Sequence, residues 1–243
     1  MENSEKPVLE KNDKEKELKL SNLATAATYR AVFAIERSRE MSSGMMYRPD
    51  EKRLMQSFSD LMQCDDAKKM LSADELVVME EQIKTIFNSM NEFNEKQLRS
   101  GYGTSYPRSP ISEMTPNEIC RFTSPYGEGG SEPDALVYIS DDGKLSYRMN
   151  SQLKSESNSN YDERQKIYRE GLSKTYDQKN NSPEIKTGII AELKPIAPEI
   201  VEKFSQVLSS NSFKGQWERL ERQSDYDPTI SLNKATNINP IKQ

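Results

Sequence analysis

The chain has 243 residues with 34 basic and 39 acidic side chains, a net charge of −5. Its hydrophobic share is 34%, against about 45–50% in a typical domain counted with glycine, and Leu, Ile, Val and Phe fill only 46 of 243 positions, so a modest core with sizeable flexible parts is expected. No histidine is present, which excludes an imidazole general base, a His-ligated metal and a histidine pH switch.

Residues 1–17 mix acids and bases without an apolar run. They read as a charged, flexible N-terminus with no cleavable signal peptide, and no later stretch approaches the about 18 apolar residues of a membrane span. The chain is therefore expected in the cytoplasm, or translocated by a dedicated secretion system.

Residues 18–99 are expected to form an antiparallel helical bundle. Leu20, Leu23, Ala24, Ala27, Ala31, Val32 and Ile35 lie at the spacing of one helix face, with Gly44 as a stop. A second helix opens at Pro49, Asp50 and Glu51, with Leu54, Phe58, Leu61 and Met62 inward. A third begins at Ser72, three residues before Glu75, the spacing of a capping box. Along it Leu76, Met79, Ile83, Ile86, Met90 and Phe93 recur in steps of three and four. Such a seam serves either as the core face of a bundle helix or as an interface for a partner or a second copy, the methionines suiting a surface that repacks. Residues 65–96 hold eight acids and four bases, so much of the net charge sits here, as a solvated face or a dock for a basic partner.

Residues 100–133 are rich in Gly, Pro, Ser and Tyr and read as a linker or long loop. Within them Thr115-Pro116-Asn117-Glu118 has the form of a helix start and predicts a short helix near 116–122. Pro107-Arg108-Ser109-Pro110 has a P-x-x-P form, and the glycines fit no phosphate-binding motif.

Residues 134–224 are expected to hold one β-hairpin and several helices. Ala135-Leu136-Val137-Tyr138-Ile139 and Leu145-Ser146-Tyr147-Arg148-Met149 flank Asp141-Asp142-Gly143, a three-residue connection with glycine at its end, as in a type I turn closed by a G1 bulge. That turn accounts for both aspartates without a metal. Charged residues 161–172 read as a helix, and a further one starts at Ser182-Pro183-Glu184 and carries Ile185, Ile189, Ile190 and Leu193. After Pro195 and Pro198 another carries Ile200, Val201, Phe204, Val207 and Leu208, and a last short helix presents Phe213 and Trp217. Residues 225–243 read as a flexible tail.

The fold class is thus mainly α with a small β-hairpin, α+β: an N-terminal antiparallel helical bundle, a flexible middle and a mixed C-terminal part. Candidate chemistry falls by elimination. Cys64 precedes Asp65 and Asp66, which disfavour a thiolate, and Cys120 has only Arg121 beside it. Ser-x-x-Lys spacings such as Ser151 to Lys154 lack supporting motifs, and no dense basic run marks a nucleic-acid footprint. No catalytic, cofactor-binding or metal-ligating residue and no cofactor is nominated. The function expected is a non-catalytic protein–protein interaction module, with Ser, Asn, Lys and Tyr usage matching an accessory or virulence-associated bacterial protein. Its partner is another protein or a second copy, met through Leu76, Met79, Ile83, Ile86, Met90 and Phe93, with no nucleic acid and no membrane span expected. The alternative is a histidine-independent enzyme, built on carboxylates or on arginine and glutamate, that acts as a translocated effector.

Overall fold

A computed structural model describes residues 6–41, 50–94, 106–108, 115–123, 135–150, 185–223 and 235–236. The expected stop at Gly44 and the helix at 161–172 lie outside these residues.

The first helix, α1, runs Lys6–Met41, so it takes in most of the charged terminus expected to be flexible. Lys, Glu and Leu dominate 14–20, all strong helix formers, and the charges stay in solvent at 12–17. Beyond them the helix differs from the single-faced element its spacing predicts. Between 21 and 38 nearly every side chain is buried. Ala24, Ala26, Ala27, Ala31 and Ala34 hold little volume, so neighbours approach on every side, and a helix covered all round lies at the centre of its domain.

Helix α2 (Glu51–Leu61) is capped by Asp50, whose carboxylate accepts from the Arg53 amide at 3.0 Å. It buries Leu54, Phe58 and Leu61. A short α3 (Asp65–Met70) follows. Helix α4 (Ala73–Phe93) carries the expected capping box: the Glu75 amide donates to Ser72 Oγ at 3.3 Å, and the Ser72 amide donates to Glu75 Oε2 at 2.8 Å.

The expected lone hairpin is the centre of a five-stranded antiparallel sheet, ordered in sequence as β1 (Tyr106–Arg108), β2 (Glu118–Thr123), β3 (Ala135–Ile139), β4 (Lys144–Asn150) and β5 (Ile185–Glu192). The β3–β4 turn is as expected. Gly143 sits at φ 81, where a side chain is strained, and its amide donates to the Ser140 carbonyl at 2.9 Å. The short helix expected near 116–122 is instead a turn and β2. The Glu118 amide does bond to the Thr115 carbonyl at 3.1 Å, but Asn117 Nδ2 then donates to the Ile139 carbonyl at 3.0 Å, steering the chain onto β3. Proline after threonine starts a type I turn as readily as a helix. The helix expected from Ile185 is β5. Gly188 lies under Tyr147, where a Cβ would come within 2.6 Å of the ring.

One sheet face, built on Cys120, Phe122, Val137, Leu145 and Tyr147, packs on the helices. Phe93 at the end of α4 meets Tyr147 at 4.6 Å and Phe122 at 6.2 Å between ring centroids. Helices α5 (Pro198–Ser209) and α6 (Asn211–Arg222) follow as the spacing predicts. Ser210 ends one and caps the other, accepting from the Phe213 amide at 3.1 Å. Phe204, Val207, Phe213 and Trp217 join the same buried cluster as α1, α4 and the sheet.

Candidate functional site

The expected interface seam faces inward. Met79, Ile83, Ile86, Met90 and Phe93 are buried and Leu76 is half-buried. These side chains form the protein's own core against α1, α2 and the sheet, so the bundle-core reading of the seam holds and its use as a surface interface is corrected. The periodicity is the same for either role; only the packing partner differs.

The opposite face of α4 is open. Asp74, Val77, Val78, Glu81, Thr85 and Asn88 are exposed, and Val77 (50%) and Val78 (38%) are two of the few exposed large apolar side chains among the described residues. The helix under them is fixed at both ends. Lys203 on α5 pairs with Glu75 at 2.6 Å beside the capping box, and Phe93 is set among aromatic rings. The Glu75 carboxyl is held below its ordinary range, first by the Lys203 hydrogen bond and then by the Ser72 amide. The nearby bases already have partners. Lys84 pairs with Glu80 at 2.7 Å, and its ammonium is raised by that bond and by Glu80, Glu51 and Glu81 around it. Among the described residues Asp74 and Glu81 form no ion pair at contact distance, so the field over the two valines is negative.

A second feature is a polar pocket of about 420 Å³ where the α2–α3 junction meets α6, lined by Gln63, Cys64, Asp65, Lys68, Ser212, Gln216 and Arg219. Cys64 precedes α3 and its side chain makes no cap bond. Ser212 instead holds the first turn, donating to Asp66 Oδ2 at 2.7 Å and accepting from the Asp66 amide at 3.1 Å. The Ser212 and Ser210 hydroxyls keep the Asp66 carboxyl below its ordinary range. The lining offers two cations, one carboxylate and amide groups, a set that can hydrogen-bond a small polar group.

The third feature lies inside the molecule and had no signal in the sequence. Arg30 of α1 is 1% exposed. Its Nη1 donates to the main-chain carbonyls of Pro116, at 2.7 Å, and of Glu118, and its Nε donates to the Ala235 carbonyl at 3.2 Å. Nη2 is buried without a hydrogen-bond partner. Burial pushes the guanidinium down to about 10, against the opposing pull of Glu118, so it stays charged at neutral pH. On the neighbouring face, burial pushes the Tyr29 hydroxyl up, with Cys120 and Glu36 adding to the rise. The Cys120 thiol is pushed up by burial as well, which disfavours its thiolate.

Asp142 pairs with Lys144 at 2.8 Å within the β3–β4 turn, in keeping with a structural part for this aspartate. Among the described residues no group of three or more Cys, Asp and Glu is arranged to hold a metal ion, and no helix is long and apolar enough to cross a membrane. No family model, no curated protein and no solved structure matches this chain.

Proposed function

We propose that the chain is a non-catalytic protein–protein interaction module that acts through the outward face of α4. The observation that supports this is the placement of Val77 and Val78 on a helix whose ends are both anchored. An apolar pair on a rigid, pre-ordered platform binds at low ordering cost. The partner's chemistry follows from the surroundings: Asp74 lies one turn before the valines and Glu81 one turn after, and the local bases are paired. A segment with aliphatic side chains flanked by Lys or Arg fits this face, and a helix with that pattern fits best. The proposal places this activity in the cytoplasm of the producing cell, or in a cell that receives the protein through a dedicated secretion system.

The test compares the wild-type chain with Val77→Glu/Val78→Glu in crosslinking and affinity capture. Both positions are exposed, so the variant is expected to melt within a few degrees of wild type. The proposal expects one captured protein to be lost from the variant while others remain, and its binding to weaken as salt is raised. Identical capture by both chains, or a substrate turned over equally by both, overturns it.

A further inference from the structure

The polar pocket between the α2–α3 junction and α6 holds side chains that the fold itself leaves unused. On its α3 wall stand Asp65 and Lys68, one helical turn apart. On its α6 wall stand Ser212, Gln216 and Arg219, at the spacing of one helix face. Other bases on these helices and beside them are paired: Arg39 with Asp60 at 2.8 Å and Arg222 with Glu218 at 3.7 Å. Asp65, Lys68 and Arg219 form no ion pair at contact distance among the described residues, and the next carboxylate, Asp66, is held by Ser212. Gln216 is only 8% exposed. Its Nε2 donates to the Asp60 carbonyl, which fixes the amide and leaves Oε1 without a hydrogen bond among the described residues. An amide oxygen held this way on a pocket wall is open to a donor from a bound molecule.

Each wall therefore presents one cation and one acceptor: Lys68 and Asp65 on one side, Arg219 and Gln216 Oε1 on the other. A ligand that satisfies both walls carries anionic oxygens for the cations and an N–H donor for the acceptors. Two cations against one carboxylate match a molecule with two carboxylates and one ammonium, and a cavity of about 420 Å³ lies within the range of small-molecule sites. We propose that this pocket binds a free acidic α-amino acid, aspartate or glutamate, with its carboxylates on Lys68 and Arg219 and its ammonium between Asp65 and Gln216 Oε1. The Arg219 guanidinium suits a carboxylate because its planar fork can donate two parallel hydrogen bonds. The site shares no residue with the outward face of α4, so this inference does not depend on that surface.

The experiment titrates L-aspartate and L-glutamate separately into the full-length, isotope-labelled chain at constant pH and ionic strength, and follows backbone amides by NMR. Saturable shifts are expected at the pocket residues 63–68 and 212–219, with half-saturation at about 1 mM or below for at least one of the two. Succinate and glutarate keep both carboxylates but lack the ammonium, and should bind at least about threefold more weakly. Lysine, with the opposite charge balance, should give no saturable shift. Arg219→Gln and Asp65→Asn change exposed side chains, so both variants are expected to melt within a few degrees of wild type and to weaken binding at least about threefold. No saturable shift with either amino acid up to about 10 mM, equal binding of the dicarboxylates without the amine, or unchanged binding by Arg219→Gln overturns the proposal. A Val77→Glu/Val78→Glu chain should bind the amino acid as wild type does, which separates this test from that of the α4 surface.

Discussion

Helices α1 and α4 share one core and solve the placement of polar side chains in opposite ways. In α4 the division is by face: Met79, Ile83, Ile86 and Met90 point in, while Asp74, Glu81 and Asn88 point out. In α1 no solvent face exists between 21 and 38, and three of its polar side chains serve the segments packed around it. Ser21 Oγ accepts from the Ile196 amide at 3.0 Å, Asn22 Nδ2 donates to the Ser140 carbonyl at 3.0 Å, and Arg30 binds three carbonyls. These contacts reach the approach to α5, the β3–β4 turn, the start of β2 and the C-terminal segment. A chain poor in large apolar residues thus uses its central helix to satisfy the main chain of its loops. Alanine brings those loops close, and the polar groups fix them in place.

The comparison breaks most visibly in α4 itself. Ile83→Asp would bury an unpaired carboxylate and is expected to cost about 4 kcal/mol or more, enough to unfold a marginal domain. Val78→Asp, five residues earlier on the outer face, is expected to change stability by no more than about 0.5 kcal/mol. Urea denaturation followed by circular dichroism measures both. Similar losses at the two positions would mean that α4 has no free face, and the docking surface would go with it.

In α1 the corresponding effect is intermediate. Asn22→Ala is expected to cost about 0.5–1.5 kcal/mol, because the Ser140 carbonyl loses one of its two donors and keeps the Gly143 amide. Hydrogen exchange sharpens the result. If Asn22 serves the β3–β4 turn, amides at 140–145 should lose protection beyond the global change, while those of α5 should not.

How much of this was legible depended on whether the signal was local. Helices α2, α4, α5 and α6 could be read because cap residues and a periodic apolar face lie within one segment, as with Ser72, Glu75 and the seam that follows. The central hairpin could be read because Asp141-Asp142-Gly143 carries its own turn chemistry. β2 and β5 could not. Thr115-Pro116-Asn117 starts a turn or a helix equally well, and Ile185, Ile189 and Leu193 fall at helical spacing although Thr187, Gly188 and the Ile189-Ile190 pair suit a strand; pairing with β4, where Gly188 sits opposite Tyr147, makes it one. The side on which α4 meets its neighbours was equally beyond periodicity, since a core seam and an interface seam have the same spacing. Arg30 and Ala235 were silent, because the bond that gives them meaning spans 205 positions.

The smallest effect concerns the anchor of α4. In the folded chain the Glu75 carboxyl lies below its ordinary 4.5, chiefly through the Lys203 hydrogen bond and then the Ser72 amide. A carboxyl depressed by folding adds stability that is fully present above its unfolded value and is lost as pH falls through the folded one. Wild type should therefore lose stability more steeply than Glu75→Gln as pH drops from about 5 towards 3, and the two curves should run parallel between pH 6 and 8, where the Glu75 carboxyl stays ionised. Lys203→Met should keep part of the slope, because the Ser72 amide still holds the carboxylate. If Glu75→Gln and wild type follow the same curve throughout, the link from α4 to α5 does not hold in solution, and the rigid platform beneath Val77 and Val78 loses one of its two supports.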